Sequence, residues 1–179
     1  MKRFYLVFVG LLLAVTVNAQ SVKPLEFEVF GGVTAGLGKV QIYSDSYKSG
    51  ETKIGFNAGV ELRHNFANNF DIALQGIVAN LLPKKGKWWL YASALVFADY
   101  HINMQSGILS VGFGAGVQDK GHLGLKDYVG YFDDQDEKTG FCVAPRVSYR
   151  ISDHVRLSLT DYIANKTHNT LCLSVGYVF

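Results

Sequence analysis

The sequence predicts an all-β fold, an eight-stranded antiparallel up-and-down transmembrane β-barrel preceded by a cleavable signal peptide. Three observations predict it. Apolar side chains alternate with polar or small ones through eight segments, as in strands with two different faces. Most segments have at least the roughly nine residues that a tilted strand needs to cross a bilayer. Short connections between segments alternate with others that include two long ones, as in membrane barrels with turns on one side and loops on the other.

The N-terminal segment has the pattern of a secretory signal peptide. Lys2 and Arg3 precede an apolar run over 4–17, and Ala19 ends a small-residue cleavage site. The run is shorter than the roughly 20 residues that a spanning helix needs. We therefore assign 1–19 to the signal peptide and 20–179 to one barrel domain that works outside the cytoplasm. The net charge of +2 gives no indication of a nucleic-acid partner.

The first four strands follow from alternation and from turn residues. In the second strand only His64 interrupts the apolar face, and Asn68 and Asn69 provide a turn after it. Pro83 ends the third strand, and Trp88 begins the fourth. In chain order, all eight strands are predicted at 25–38, 53–66, 70–82, 88–102, 109–118, 141–151, 155–163 and 171–179.

The last four strands carry two exceptions to the pattern. Pro145 removes a donor from the sixth strand, so we expect a bulge or local irregularity there. Asp161 falls on the apolar face of the seventh strand, where a carboxylate is tolerable only near water. The longest polar stretch, 119–138, is predicted as a loop after the fifth strand. The eighth strand stops on the aromatic Phe179, and pairing it with the first removes the exposed edges.

The charged residues decide which face is inside. A soluble barrel of the lipocalin kind would turn the apolar face inward around a ligand. Here opposite charges gather on the other face at the level of the short turns, which indicates a neutralising network inside the barrel. We call this set the lumen charge network: Glu61, Arg63, Asp71, Asp99, Arg146, Arg150 and Arg156, with Glu26 and Glu28 on the same face. Aromatic residues also sort by height, as in the girdles of membrane barrels: Phe66, Phe70, Tyr100, Tyr149, Tyr177 and Phe179 at the short-turn ends, Trp88 and Phe141 at the others.

The whole mature chain resembles the small eight-stranded outer-membrane barrels, the OmpA/OmpX-like, porin-like family of Gram-negative bacteria. The resemblance rests on the eight alternating segments and on the C-terminal pattern of Val175, Tyr177 and Phe179. It implies location in the cell outer membrane, in contact with lipid and lipopolysaccharide. It also implies that these three residues form the signal read by the barrel-assembly machinery. We expect a monomer with both termini in the periplasm.

The resemblance implies no single activity, because such barrels host unrelated functions. We expect a non-enzymatic protein that acts through its extracellular loops, with no catalytic residue, cofactor or metal. One alternative is a narrow gated channel, in which pairs of the charge network exchange partners instead of forming a static plug. A further alternative is a lipid A-modifying enzyme, but His64 has no lipid-facing serine or acid beside it in sequence.

Smaller features receive structural interpretations. His101 and Asp99 are expected to form a satisfied pair inside the barrel. Cys142 and Cys172 both point inward, but the seventh strand lies between the two strands that carry them. Their Cα atoms are then too far apart for a disulfide, so two free buried thiols are expected. The acidic part of the third loop, 133–137, is interpreted as a solvated segment instead of a calcium site, because its spacing does not fit a calcium loop.

Overall fold

The computed structural model describes residues 25–39, 53–67, 69–81, 87–124, 139–164 and 168–179. They form a closed barrel in which each strand pairs with its sequence neighbours and β1 pairs with β8. Among these residues no helix is long and apolar enough to cross a membrane. The strands are β1 (Leu25–Lys39), β2 (Lys53–Ala67), β3 (Phe70–Leu81), β4 (Lys87–Met104), β5 (Gly107–Gly124), β6 (Gly140–Arg150), β7 (Val155–Ala164) and β8 (His168–Val178). The fold class predicted from the sequence is confirmed.

The closing pair of strands removes both sheet edges. β1 and β8 run antiparallel from Glu28 opposite Val178 to Lys39 opposite His168, with one register shift between Gly36 and Gly38. The amide of Phe179 also donates to the carbonyl of Phe27 at 2.9 Å. No backbone edge therefore remains between the first and last strands, as a membrane-spanning sheet requires.

The two faces of the barrel have the orientation that the charges predict. Outward side chains such as Leu74 and Phe113 are 58% and 54% exposed. Inward side chains such as Asp71 and Asp99 are fully buried. A soluble protein has the opposite distribution, since burying a charged group and exposing an apolar group to water both raise the free energy of the folded state. The exposed apolar wall is the surface that meets lipid.

Strand lengths differ around the barrel, and here the sequence prediction needs correction. β4 and β5 have 18 residues each, and β5 continues through Asp119 to Gly124, which were predicted to lie in a loop. Residues 119–124 of β5 pair with Lys87–Ala92 of β4. Backbone hydrogen bonding does not require apolar side chains on one face, so the ladder continues although the apolar alternation of β5 has stopped. β8 likewise begins at His168, inside the predicted 165–169 connection.

The irregularity expected at Pro145 is present as a gap in pairing without a bulge. β6 and β7 pair at Val143 with Ile163 and at Arg146 with Thr160, in one unchanged register. Between these pairs Ala144 and Pro145 have no partner on β7. Pro145 keeps its partner Phe113 on β5. The hydrogen bond that Pro145 cannot donate is therefore one that would have gone to β7.

The two ends of the barrel differ in their connections. At one end, which we call the short-turn end, β2–β3, β4–β5 and β6–β7 are joined by two to four residues. The other end, the loop end, carries 40–52, 82–86, 125–139 and 165–167. Several sequence predictions lie outside the described residues, namely the signal peptide, the acidic segment 133–137 and the side chain of Trp88.

Candidate functional site: the barrel interior

Small residues on the inner face make room for large charged ones. A side chain at Gly112 would overlap the carboxylate of Asp99 on the neighbouring strand. A side chain at Gly176 would likewise overlap the carboxylate of Glu28. The interior of an eight-stranded barrel has space for close filling only, so glycine on one strand and a charged residue on the next are complementary. The local sequence thereby permits the charges to reach the barrel axis.

The centre of the lumen charge network is a group of carboxylates shared between two arginines. Glu61 bonds to Arg63 and to Arg146. Asp99 contacts both as well, with Arg63 Nη1 at 3.2 Å from Oδ2 and Arg146 Nε at 3.2 Å from Oδ1. The guanidinium of Arg146 also lies 3.9 Å from the ring centroid of Phe97. These five side chains are at most 4% exposed, so each charge depends on its partners instead of on water.

The same network continues to the short-turn end. Arg156 Nη1 lies 2.7 Å from Glu28 Oε2 and 3.8 Å from Glu61, and Arg156 Nη2 lies 3.6 Å from Glu26. Arg150 Nη1 bonds to Glu26 Oε1 at 2.8 Å, and its guanidinium also donates to the carbonyls of residues 152 and 153. At 18% exposure, Arg150 is the most accessible of these arginines. The structure thus brings all seven residues of the predicted set into one network with Glu26 and Glu28.

His101 is placed differently from the sequence prediction. Its Nε2 lies 2.5 Å from Asp71 Oδ2, and its Nδ1 lies 2.7 Å from Ser110 Oγ. The predicted partner Asp99 is instead occupied by the arginines. Asp99 lies two residues before His101 on β4. Asp71 lies on β3, and its carboxylate contacts the His101 ring across the inner face of the barrel. The series Asp71–His101–Ser110 has the residue types of a hydrolase triad, but Ser110 is only 3% exposed and is not presented to a substrate.

A second layer, on the loop side of the charges, closes the interior with large apolar and aromatic side chains. Sequence reasoning missed it, because these residues fall among the small and polar ones of the inner face. Tyr162 in this layer donates to Gln75 at 2.6 Å, which connects it to Glu61 through the same amide group. We call it the apolar plug: Phe30, Ile77, Tyr91, Leu95, Phe97 and Tyr162. The signal that points to it in the sequence is the occurrence of aromatics at inward positions of β1, β4 and β7.

Neither cysteine is in a disulfide. Cys142 and Cys172 are both free and buried, as expected from the intervening strand. Cys172 Sγ lies 3.4 Å from Thr34 Oγ1. In the described part of the chain, no group of three His, Cys, Asp or Glu side chains is arranged to hold a metal ion.

The proposed assembly-signal residues lie on the outer wall at the short-turn end. Val175, Tyr177 and Phe179 are 54%, 49% and 58% exposed. The rings of Tyr177 and Phe179 are 4.9 Å apart, and Tyr177 stacks on His154 at 5.4 Å. This aromatic edge agrees in position with the predicted girdle. Recognition by the assembly machinery stays a prediction.

His64, the polar residue on the lipid-facing wall of β2, is surrounded by apolar neighbours. Its strand partners are Leu25 and Ile72, and its ring contacts Phe66 at a centroid distance of 4.8 Å. No serine or acid occupies these adjacent positions. The arrangement is that of a girdle residue at the edge of the apolar band.

An apolar belt outside, a charge network inside and closed antiparallel pairing define a transmembrane β-barrel of the outer-membrane type. Similar solved structures have this fold. Neisserial surface protein A (NspA) is similar with a TM-score of 0.61 and 14% identity, covering 89% of this chain and 98% of NspA. Ail, the attachment invasion locus protein of Yersinia pestis, is similar with a TM-score of 0.51 and 17% identity, covering 86% of this chain and 98% of Ail. The likeness shows a shared fold, that of an outer-membrane barrel, as the sequence predicted.

Ail in complex with the heparin analogue sucrose octasulfate is similar to the same degree, with a TM-score of 0.51. No protein-family model matches the sequence. No curated protein matches it either.

Proposed function

We propose that this chain is a non-enzymatic outer-membrane protein that acts through the loops at its loop end. The closed interior supports this proposal, because the charge network and the apolar plug fill successive layers of the barrel. The length of β4 and β5 supports it too, since both strands continue past the last pair of β5 with β6, Gln118 with Gly140. In this proposal the loop end is extracellular and the short-turn end is periplasmic.

Protease mapping on intact cells tests the orientation. Segment 125–138 contains Lys126 and Lys138, so trypsin should cleave there while the strands of the barrel remain protected. The matched control is a variant with both lysines changed to glutamine, which should remain uncut at this segment. Cleavage that requires permeabilised cells would place the loop on the wrong side and refute the proposal.

A contact with anionic saccharide is the form of surface interaction that the sequence favours. Lys84, Lys85 and Lys87 are positioned by sequence between β3 and Trp88, at the expected level of lipopolysaccharide phosphates. Ail offers a parallel, since it has been crystallised with a heparin analogue. Changing the three lysines to glutamine should weaken binding of the purified barrel to lipopolysaccharide micelles, and added salt should reduce the difference. Equal binding by the wild type and the triple variant would refute the saccharide contact. The proposed orientation of the barrel does not depend on this result.

A narrow gated channel is the second candidate function. Glu61 and Asp99 each contact both Arg63 and Arg146, so pairs can exchange with small side-chain movements. The apolar plug opposes ion passage, because its large side chains fill the interior and their rings and alkyl groups cannot replace the hydration of an ion. Conductance across planar bilayers discriminates the two functions. A large steady increase on substituting Arg146 and Arg150 by alanine supports the channel, and an unchanged low conductance supports the plug.

Absence of enzymatic activity is also a proposal. It is supported by the burial of Ser110 and by the apolar surroundings of His64. Lipid A from cells overexpressing the protein should have an unchanged mass spectrum. A new lipid A species that disappears in a His64→Ala or Ser110→Ala variant would identify the protein as an enzyme.

A further inference from the structure

Asp161 is an acidic side chain on the apolar wall of the barrel. It lies on β7, between the outward residues Leu159 and Ile163. Its strand neighbour on β8 is Leu171. Its Oδ1 is buried and has no hydrogen-bond partner, and none of the ion pairs among the described residues includes its carboxylate. An ionisable group in contact with lipid is costly, so its presence indicates a role with a partner.

A second unsatisfied acceptor lies beside this carboxylate. In the register of β6 and β7, the position opposite Pro145 is Asp161, and the pairing is interrupted there. Pro145 has no N–H, so the backbone carbonyl that faces it on β7 lacks its ladder donor. The wall thus presents a carboxylate and a backbone carbonyl at one place, both acceptors and neither paired.

We infer that this break in the β6–β7 ladder is a lateral binding site for the head group of an amphiphile that carries a primary ammonium. An ammonium supplies several N–H donors and a positive charge, which match a carboxylate next to a free carbonyl. The hydrocarbon part of the same molecule then lies along the apolar wall formed by Val147, Leu159 and Leu173, which are about half exposed. The site lies on the outside of the barrel and is separate from the lumen and from the loops.

The depth of the site is similar to that of a lipid head group. Asp161 is three residues from Ala164, where β7 ends. At about 3.3 Å per residue and a tilt of about 40°, this is a vertical distance of about 8 Å from the loop end of β7. In this proposal the loop end of β7 lies at the membrane surface, so that depth is where the polar part of an amphiphile meets its hydrocarbon chains. An ammonium there needs no passage through the hydrocarbon core.

The test compares two lipids of the same net charge, in one of which three methyl groups replace the N–H donors of the ammonium. The full mature barrel is reconstituted in nanodiscs containing phosphatidylcholine and 10 mol% phosphatidylethanolamine (roughly one lipid in ten), and retained lipids are counted by native mass spectrometry. Phosphatidylethanolamine should be retained several-fold above its share of the bilayer, because the trimethylammonium of phosphatidylcholine has no N–H. Asp161→Asn should reduce retention to that share. Pro145→Ala, which supplies the missing N–H to the ladder, should reduce it at least threefold.

Matched variants make the outcomes decisive. His64→Asn changes a polar residue elsewhere on the lipid-facing wall and should leave retention unchanged. Lys166, which follows β7 in the sequence, is changed to methionine to test whether the chain's own ammonium occupies the site. All variants are first checked for the heat-modifiable gel mobility of a folded barrel. Equal retention of both lipids by the wild type overturns the inference, and so does enrichment that appears only in Lys166→Met.

Discussion

Removing the arginine at the centre of the charge network should destabilise the barrel strongly. Arg146→Ala leaves Asp99 with Arg63 alone and Glu61 with Arg63 and the more distant Arg156, and it lowers the described guanidiniums of the network from four to three against five carboxylates. The loss of one partner from a buried ion pair costs about 3 to 5 kcal/mol, since the remaining charge cannot be hydrated. The side chains of Arg146 and of its partners Glu61 and Asp99 are more than nine-tenths buried. The whole of this energy range therefore applies, without a reduction for contact with solvent. We expect the free energy of unfolding to fall by that amount.

Urea unfolding of the barrel in detergent micelles measures the effect. With a slope of about 2 kcal/mol/M, a loss of about 4 kcal/mol moves the midpoint by about 2 M. The matched control is Arg150→Ala at the rim, where partial exposure limits the loss to about 1 kcal/mol. The double variant Arg146→Ala with Glu61→Gln should recover part of the stability, because one unpaired carboxylate becomes neutral. Equal midpoints for the Arg146 and Arg150 variants would show that the charges are not sealed from water.

Three further predictions use other parts of the barrel. Gly112→Ala should displace the Asp99 carboxylate and cost about 1 to 3 kcal/mol in the same urea assay, whereas Gly76→Ala, which meets open space on the outer wall, should be neutral. An intact charge network in Gly112→Ala, judged by an unchanged midpoint, would contradict the close fit. Deletion of Phe179 should slow insertion in cells, seen as loss of the heat-modifiable folded band, and normal assembly would exclude it from the signal. The two free buried cysteines should resist maleimide until denaturant is added, and rapid labelling of the native barrel would show that water reaches them.

The sequence predicted the strands and their faces because a barrel repeats one physical rule. Every strand must be apolar toward lipid and satisfied within, so the period of two persists through all eight. The prediction failed where that rule stops applying. The side chains of residues 119–124 do not alternate between apolar and polar, so the sequence held no pattern that would predict their pairing with β4.

The sequence also predicted which residues belong to the charge network, but it did not predict which of them pair. Alternation shows that Asp71, Asp99 and His101 point inward, and it does not show which side chains meet across the lumen. His101 pairs with Asp71, 30 residues away, and not with Asp99 on its own strand. Such contacts depend on the stagger of the strands, which is fixed only when the barrel closes.

The same limit separates a plug from a channel. Charges at inward positions suit both functions, since a gate and a seal each need paired groups inside. The discriminating feature is the second layer, where the buried side chains of Phe30, Leu95 and Tyr162, from three separate strands, belong to one apolar cluster. No one of these strands reveals the layer, because each contributes one or two large side chains among glycines and hydroxyls. If the layer seals the barrel, Leu95→Ala should raise conductance more in the Arg146→Ala background than alone, since either layer suffices to block ions. Simple addition of the two effects would mean that the layers act independently and that the interior contains a continuous path.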